Sequence, residues 1–251
     1  VVKKDFPAYT IPVFECQLAH DSAKHESKVS GKKMDVESNV AASNGGGLYV
    51  EDGKFVLTNV RIALNNANAK GGAIFVDNSA SFSMAASSVE KNKARYGGGI
   101  SLQITDDVAK ILSDDESTFT ENTAEYGGSL SVHGDTLFDG LISGFSFRNS
   151  YATSGGGIYA DIIGTGGLKF ENTTVENCHA YENGGGMFVE NVKDIVGDGF
   201  SVTKNDAGKG GGVYLTGDSS FREEGTGHIA ENVAHLQGGG MYIHNSENLV
   251  G

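Results

Sequence analysis

Residues 119–132 read FTENTAEYGGSLSV, and the pattern within them decides the fold of this 251-residue chain. Phe119 is followed three positions later by Asn122 and then by Ala124, and a glycine cluster begins at Gly127. The apolar residues alternate after the glycines, which predicts a β-strand. The same pattern recurs every 26 to 30 residues, with glycine clusters beginning at Gly45, Gly71, Gly97, Gly127, Gly155, Gly184, Gly210 and Gly238.

The position of Asn122 defines a column that runs through all eight repeats. It is occupied by Asn39, Asn65, Asn92, Asn122, Ser150, Cys178, Asn205 and Asn232. Stacked asparagine amides can bond to the backbone and to the asparagine of the next coil, and asparagine also tolerates left-handed geometry at bends. We therefore predict a structural Asn ladder made by Asn39, Asn65, Asn92, Asn122, Asn205 and Asn232. The glycines are expected to provide positive φ angles or close backbone approach at a tight corner.

Each repeat contains three short apolar segments and shows no helical periodicity, which is typical of one coil of a parallel β-helix. A coil cannot bury its inward face alone, so stacking on its neighbours completes the core. We predict an all-β, right-handed parallel β-helix (β-solenoid) of about eight coils over residues 34–251, continuing or docking beyond 251. Residues 1–33 are predicted to be an irregular N-terminal cap with a degenerate coil at Phe14–Ala19.

Composition excludes several other classes of protein. Glycine accounts for 37 residues but has no every-third spacing, and the chain has only 2 prolines, so it is neither collagenous nor of low complexity. The formal net charge of −13 argues against nucleic acid as a partner. No apolar run is long enough for membrane insertion by this segment. The two cysteines, Cys16 and Cys178, lie several coils apart in the predicted register, so we expect no disulfide between them.

The paired motifs FTENTAEYGGSL, VEKNKARYGGGI and VTKNDAGKGGGV resemble the FxxN and GGA(I/L/V) repeats of chlamydial polymorphic membrane protein passenger domains. The resemblance covers about residues 34–251. It implies a pectin-lyase-like right-handed β-helix that is exposed at a cell surface and has adhesive or structural duties.

One outward column is a candidate interaction face. The residue between the two inward positions of the first strand is aromatic in six repeats and serine in Ser101 and Ser131. The six aromatic residues are Tyr49, Phe75, Tyr159, Phe188, Tyr214 and Tyr242. An exposed aromatic stripe favours a partner surface or a glycan platform. The alternatives are that neighbouring rings stack on one another to stabilise the sheet, or that preceding turns cover them.

Acidic residues follow the first strand in every repeat, at Glu51, Asp52, Asp77, Asp106, Asp107, Asp135, Asp161, Glu190, Asp218 and Glu247. A carboxylate pair would suit a polysaccharide lyase or hydrolase, and a cluster would suit calcium. Because the acids recur in every coil, we interpret them as solvated turn residues. No catalytic or metal residue is assigned and no cofactor is expected, with weak Ca²⁺ binding at these turns left open. The sequon Asn172-Thr-Thr makes Asn172 a candidate for N-glycosylation.

The leading hypothesis is a non-enzymatic structural protein that is extracellular or at the cell surface, either an adhesin-like rod or a subunit of a surface fibre or appendage. Its expected partners are neighbouring copies or domains of the same assembly, together with glycans. The alternatives are a polysaccharide lyase or hydrolase on a β-helix scaffold, and a glycan-binding module that uses the outward aromatic column.

Overall fold

The computed structural model describes residues 17–21, 26–51, 54–77, 81–104, 108–113, 117–136, 139–245 and 248–249. Within these ranges the chain forms strands, turns and bends, and no helix. Numbered along the chain, the strands are β1 (Gln17–Asp21), β2 (Glu26–Glu37), β3 (Val40–Ala41), β4 (Leu48–Glu51), β5 (Lys54–Ala63), β6 (Asn66–Ala67), β7 (Ile74–Asp77), β8 (Ser81–Ala85), β9 (Ser88–Glu90), β10 (Ile100–Ile104), β11 (Val108–Ser113), β12 (Thr118–Thr120), β13 (Leu130–Thr136), β14 (Asp139–Ser143), β15 (Ser146–Arg148), β16 (Tyr151–Ser154), β17 (Ile158–Gly164), β18 (Gly167–Glu171), β19 (Thr174–Glu176), β20 (His179–Asn183), β21 (Met187–Glu190), β22 (Asp194–Asp198), β23 (Ser201–Thr203), β24 (Asp206–Lys209), β25 (Val213–Thr216), β26 (Ser220–Glu223), β27 (His228–Ala230), β28 (Val233–Gln237), β29 (Met241–His244) and β30 (Asn248–Leu249).

These strands stack in four parallel ladders, one for each position around the coil. The first ladder, directly after the glycine clusters, runs β4-β7-β10-β13-β17-β21-β25-β29. The second runs from β5 through β8, β11, β14, β18, β22 and β26 to β30, and the third from β5 through β9, β12, β15, β19 and β23 to β27. The fourth, at the Asn-x-Ala segment, contains β3-β6 and β16-β20-β24-β28, and isolated bridges at Lys93 and Thr123 join these two groups.

The predicted parallel β-solenoid is confirmed. Eight strands of the first ladder are in register, so seven turns separate β4 from β29. A typical pair is Ile100 opposite Leu130 and Leu102 opposite Val132. Because successive coils pair in register, the equivalent residues of each repeat lie in a straight column parallel to the axis of the solenoid. The right-handedness of the coil stays a prediction.

The core lies inside the coil and is built from the inward positions of the first three ladders. Ile74, Val132, Ile158 and Val213 of the first ladder are 0% exposed. Phenylalanines of the other ladders stack between coils, as Phe170 does on Phe200 with ring centroids 4.6 Å apart. Stacking is favourable because the inward side chains of one coil are removed from water only when the neighbouring coils cover them.

The corners depend on backbone geometry that few residues adopt. The first glycine of all eight clusters has a positive φ, between 60° and 69°. The second glycine approaches the next coil so closely that a Cβ on Gly185 would overlap the carbonyl oxygen of Gly211. A third feature of the corners differs from the expectation that asparagine itself takes the left-handed geometry. The left-handed residue of the preceding corner is the one just before the Asn column, for example Leu64 at φ 58° and Glu121 at φ 56°, and not the asparagine itself.

Parallel stacking begins inside the predicted cap. β2 pairs in parallel with β5 over Glu26–Ser30 and Met34–Glu37, so the ladders start before residue 34. β1 pairs antiparallel with β2 and satisfies the edge that β2 would otherwise present. The first half of the predicted degenerate coil, from Phe14, lies outside the described residues, and Gln17–Ala19 belong to β1.

Candidate functional site

The Asn column forms a continuous ladder of amide bonds over its first four coils. The Oδ1 atom of Asn92 accepts hydrogen bonds from the backbone N–H and the Nδ2 of Asn65, at 2.9 and 3.0 Å. The Nδ2 of Asn92 donates to the Oδ1 of Asn122 and to the carbonyl oxygen of Ile62, each at 3.0 Å. Asn39, which is exposed, bonds in the same way to Asn65. The buried amides of Asn65 and Asn92 thus each connect their own coil to the two neighbouring coils.

Ser150 and Cys178 interrupt the amide ladder but fit its space. The hydroxyl of Ser150 accepts from the backbone N–H of Asn122 at 3.3 Å and lies 2.7 Å from the hydroxyl of Ser129. The backbone N–H of Cys178 donates to the Oδ1 of Asn205 at 2.8 Å, and the ladder then continues to Asn232. The thiol of Cys178 is free and buried. Burial raises the pKa of this thiol to about 12, which leaves it protonated and unreactive.

The outward aromatic column is largely covered. Phe75, Tyr159 and Phe188 are only 2%, 6% and 9% exposed, although they lie outside the core. Tyr49, at the first coil, is 49% exposed. Tyr214 and Tyr242 are partly buried. The expected exposed stripe is therefore wrong for the middle of the column, and the alternative in which rings stack and neighbouring turns cover them describes it better.

Part of the cover comes from residues that immediately precede a glycine cluster, such as Lys70, which lies over the ring of Phe75. Tyr96 and Tyr126 lie there in the two coils whose outward column carries Ser101 and Ser131, and their rings stack 5.0 Å apart. Both rings also contact Tyr159, at 6.3 and 5.2 Å between centroids. In these two coils the large residue lies before the glycines and the small residue lies in the outward column, whereas the other coils carry the aromatic residue in the outward column. This complementarity is visible in the sequence, but only when the two columns are compared coil by coil.

Stacking along the column uses the ring faces. Tyr159 and Phe188 stack at 5.6 Å with an interplanar angle of 25°, and Tyr214 and Tyr242 stack at 5.0 Å with an angle of 27°. A ring whose faces contact other rings presents mainly its edge to solvent. A sugar ring stacks on an aromatic face, so this column is poorly suited as a glycan platform.

His133 lies in the same cluster, beside Tyr96 and Tyr159, with ring centroids 5.1 and 5.5 Å away. Its Nε2 atom is shielded from solvent and has no hydrogen-bond partner among the described residues. Burial, reinforced by the positive charge of Lys70, lowers the pKa of His133 to about 4. The imidazole is therefore neutral at physiological pH. The sequence analysis assigned no role to this residue.

Two acids of the predicted turn series come together on adjacent strands. Asp161 of β17 lies in register with Glu190 of β21. Burial raises the pKa of the Glu190 carboxyl, and the negative charge of Asp161 raises it further, while a hydrogen bond from Tyr159 opposes the shift. Asn191 donates to the Oδ1 of Asp161 at 3.1 Å. The upward shift favours the protonated form of Glu190 more than in an exposed glutamate, which is one element of acid–base chemistry.

Glu51 of β4 and Asp77 of β7 form a second pair of acids in register. The Oδ2 of Asp77 accepts a hydrogen bond from the hydroxyl of Tyr49 at 3.0 Å. Asp52, Asp106, Asp107 and Glu247 lie outside the described residues. Among the described residues, no group of three or more His, Cys, Asp or Glu side chains could hold a metal ion. The same ranges contain no helix long and apolar enough to cross a membrane.

Asn172, the sequon asparagine, is exposed at the bend between β18 and β19 and has a φ of 44°. The hydroxyl of Thr174, the third residue of the sequon, donates to the hydroxyl of Ser146 at 3.2 Å. Because Asn172 is exposed, its side chain is accessible for glycosylation.

No family model matches the sequence, and comparisons with curated proteins and with solved structures find no match.

Proposed function

We propose that the chain is a non-enzymatic structural protein, extracellular or at the cell surface, which acts as an adhesin-like rod or as a subunit of a surface fibre. The observation that carries this proposal is the direction of its contacts. The backbone ladders, the amide bonds of Asn65 and Asn92, and the aromatic stacks all join one coil to the next along a single axis. Such a molecule resists bending and is suited to span a distance.

Ion pairs between successive coils also support the proposal of a structural rod. Arg61 pairs with Glu37 and Glu90 of the coils on either side, at 2.8 and 2.5 Å. Arg95 pairs with Glu125 of the next coil at 3.0 Å. Each exposed pair contributes little to stability alone, about 0–1 kcal/mol, but a row of pairs reduces the repulsion that a net charge of −13 would otherwise cause.

Negative-stain electron microscopy of native material tests the proposal, together with immunogold labelling of intact cells that produce the protein. We expect rods or fibres, with gold particles on the outer surface. Compact isolated particles, or labelling that appears only after the cells are permeabilised, would contradict it.

A second candidate function is supported by the pair of Asp161 and Glu190. Glu190, whose pKa is raised by burial and by the charge of Asp161, would be the general acid of a glycosidase or polysaccharide lyase. Incubation with polygalacturonate and with neutral polysaccharides, followed by a reducing-sugar assay and absorbance of unsaturated products, tests this function. Activity that is lost in Glu190→Gln but kept in the exposed control Glu51→Gln would favour the enzyme over the structural rod.

A further inference from the structure

The fourth ladder carries β-bulges on successive coils. β20 and β28 each contain five residues, whereas β24 between them contains four, and the register shifts on both sides of β24. A bulge places an extra side chain outside the regular alternation. Here the bulged segments present Tyr181, 79% exposed, and Leu236, 71% exposed. Both side chains are therefore available for contact with a partner outside the fold.

Tyr181 and Leu236 are separated by a residue without a side chain. Gly208 of β24 lies between the two bulges, against the backbone oxygens of Tyr181 and Glu182. Tyr181 and Leu236 are two coils apart, or about 9.6 Å at roughly 4.8 Å per coil. Contact between carbon atoms needs about 3.5–4.0 Å on each side, so this spacing has room for a layer one ring thick. We call this feature the notch: Tyr181 and Leu236 are its walls and Gly208 is its floor.

A line of polar groups borders the notch. Asp206 of β24 lies between His179 and His235, each on a neighbouring coil. The Nδ1 of His179 is 3.3 Å from one carboxylate oxygen of Asp206, and the Nε2 of His235 is 2.8 Å from the other. Each carboxylate oxygen keeps a second lone pair, and each imidazole keeps a second nitrogen. The Oδ1 atom of Asp206 is shielded from solvent, but the Asp206 side chain as a whole is 37% exposed and the imidazoles of His179 and His235 are 43% and 65% exposed.

We propose that the notch binds a pyranose ring of an uncharged polysaccharide. The apolar faces of a sugar ring match the walls made by Tyr181 and Leu236, and its hydroxyl groups match Asp206 and the two imidazoles. The net charge of −13 opposes acidic saccharides, so the occupant is neutral. This inference rests on the adhesive form of the proposed function and deepens it, because it names the partner class and moves the site away from the outward aromatic column.

Isothermal titration calorimetry of the whole chain with cellohexaose, laminarihexaose and N-acetylated chitohexaose tests the proposal, with polygalacturonate as the acidic probe. We expect at least one neutral hexasaccharide to bind and polygalacturonate to bind at least about tenfold more weakly. Tyr181→Ala and Leu236→Ala should each weaken binding by about tenfold or more. Ile163→Ala is the matched control, because Ile163 is also exposed, at 62%, but lies in the first ladder.

Three results would overturn the inference: no neutral hexasaccharide binds at millimolar concentration, Tyr181→Ala and Leu236→Ala both bind like the parent chain, or polygalacturonate binds as tightly. Sedimentation velocity adds a fourth, since self-association that disappears in Tyr181→Ala would make a second copy the occupant. Both wall residues are exposed, so circular dichroism should be unchanged in the variants. Microscopy separates the two proposals, because rods that lack sugar binding refute the notch and leave the structural function standing.

Discussion

Replacing Asn92 with alanine tests the internal ladder most directly. The side chain of Asn92 is 1% exposed: its Oδ1 accepts two hydrogen bonds from Asn65, and the two hydrogens of its Nδ2 are shared among acceptors on Ile62, Glu90 and Asn122. Alanine leaves the buried backbone N–H of Asn65 without an acceptor, at a cost of about 1–3 kcal/mol. The other lost bonds cost about 0.5–1.5 kcal/mol each, although Asn65 keeps its bond to Val36 and the carbonyl of Glu90 keeps one from Leu64.

The expected loss in the free energy of unfolding for Asn92→Ala is therefore about 4 kcal/mol. Asn92→Ser should lose only about half as much, since Ser150 already accepts a backbone N–H at this column. Asn68→Ala is the control: Asn68 is exposed and makes a single bond, to the carbonyl of Ala42, so its loss should be about 0.5 kcal/mol.

Urea unfolding followed by circular dichroism measures these differences, and hydrogen exchange of the Asn65 amide reports the local effect. The amide should lose its protection in Asn92→Ala and keep most of it in Asn92→Ser. The reasoning fails if Asn92→Ala costs no more than Asn68→Ala, or if serine is no better than alanine, because either result would mean that the amide bonds do not hold the coils together.

Three further predictions concern the corners and the buried imidazole. Gly185→Ala should destabilise the chain by at least about 3 kcal/mol in urea unfolding because its Cβ overlaps the next coil, whereas Gly239→Ala, whose Cβ would meet only the Asn232 carbonyl at 3.3 Å, should cost about 1 kcal/mol; equal costs would refute the close approach. His133 has a pKa of about 4 in the fold and about 6.5 when unfolded, so the unfolded chain binds the extra proton and stability falls by about 3 kcal/mol as pH drops from 6.5 to 4. His133→Gln, the residue that the preceding coil carries in register, should remove that part of the pH dependence, and an unchanged profile would exclude a buried neutral imidazole. Leu64→Asn should raise the melting temperature by about 2–4 °C, since Leu64 pays about 1 kcal/mol for its left-handed φ and asparagine occupies this corner in two other coils; no increase would show that the corner is unstrained.

Much of the fold could be read from the sequence because its determinants repeat. Gly127 and its equivalents have a positive φ, and Asn122 and most of its equivalents supply an amide at the same point of the coil. Such requirements are local, so they leave glycine at the same corner in all eight coils and asparagine in the neighbouring column in six of them. The inward residues, such as Leu130 and Val132, followed from alternation alone and are 3% and 0% exposed.

The candidate sites depended on relations between coils of different sequence. Alternation places Tyr159 outward, and its coverage is decided by Tyr96 and Tyr126, which come from other coils. Asp161 lies opposite Glu190 just as Glu51 lies opposite Asp77, and it is the burial of Glu190 that distinguishes the first pair. A periodic pattern averages out these differences, so no column examined alone could have found them.

The repeat pattern alone is enough to predict a parallel β-solenoid, the position of the glycine corner in each coil, and the residues that fill the core. Backbone geometry and burial at each corner and strand allow only a few residue types, and those types recur. The tertiary structure alone decided which outward residues reach solvent. Exposure at Phe75 or Tyr181 depends on what the neighbouring coil places beside it, and a single bulge residue is enough to change that neighbour.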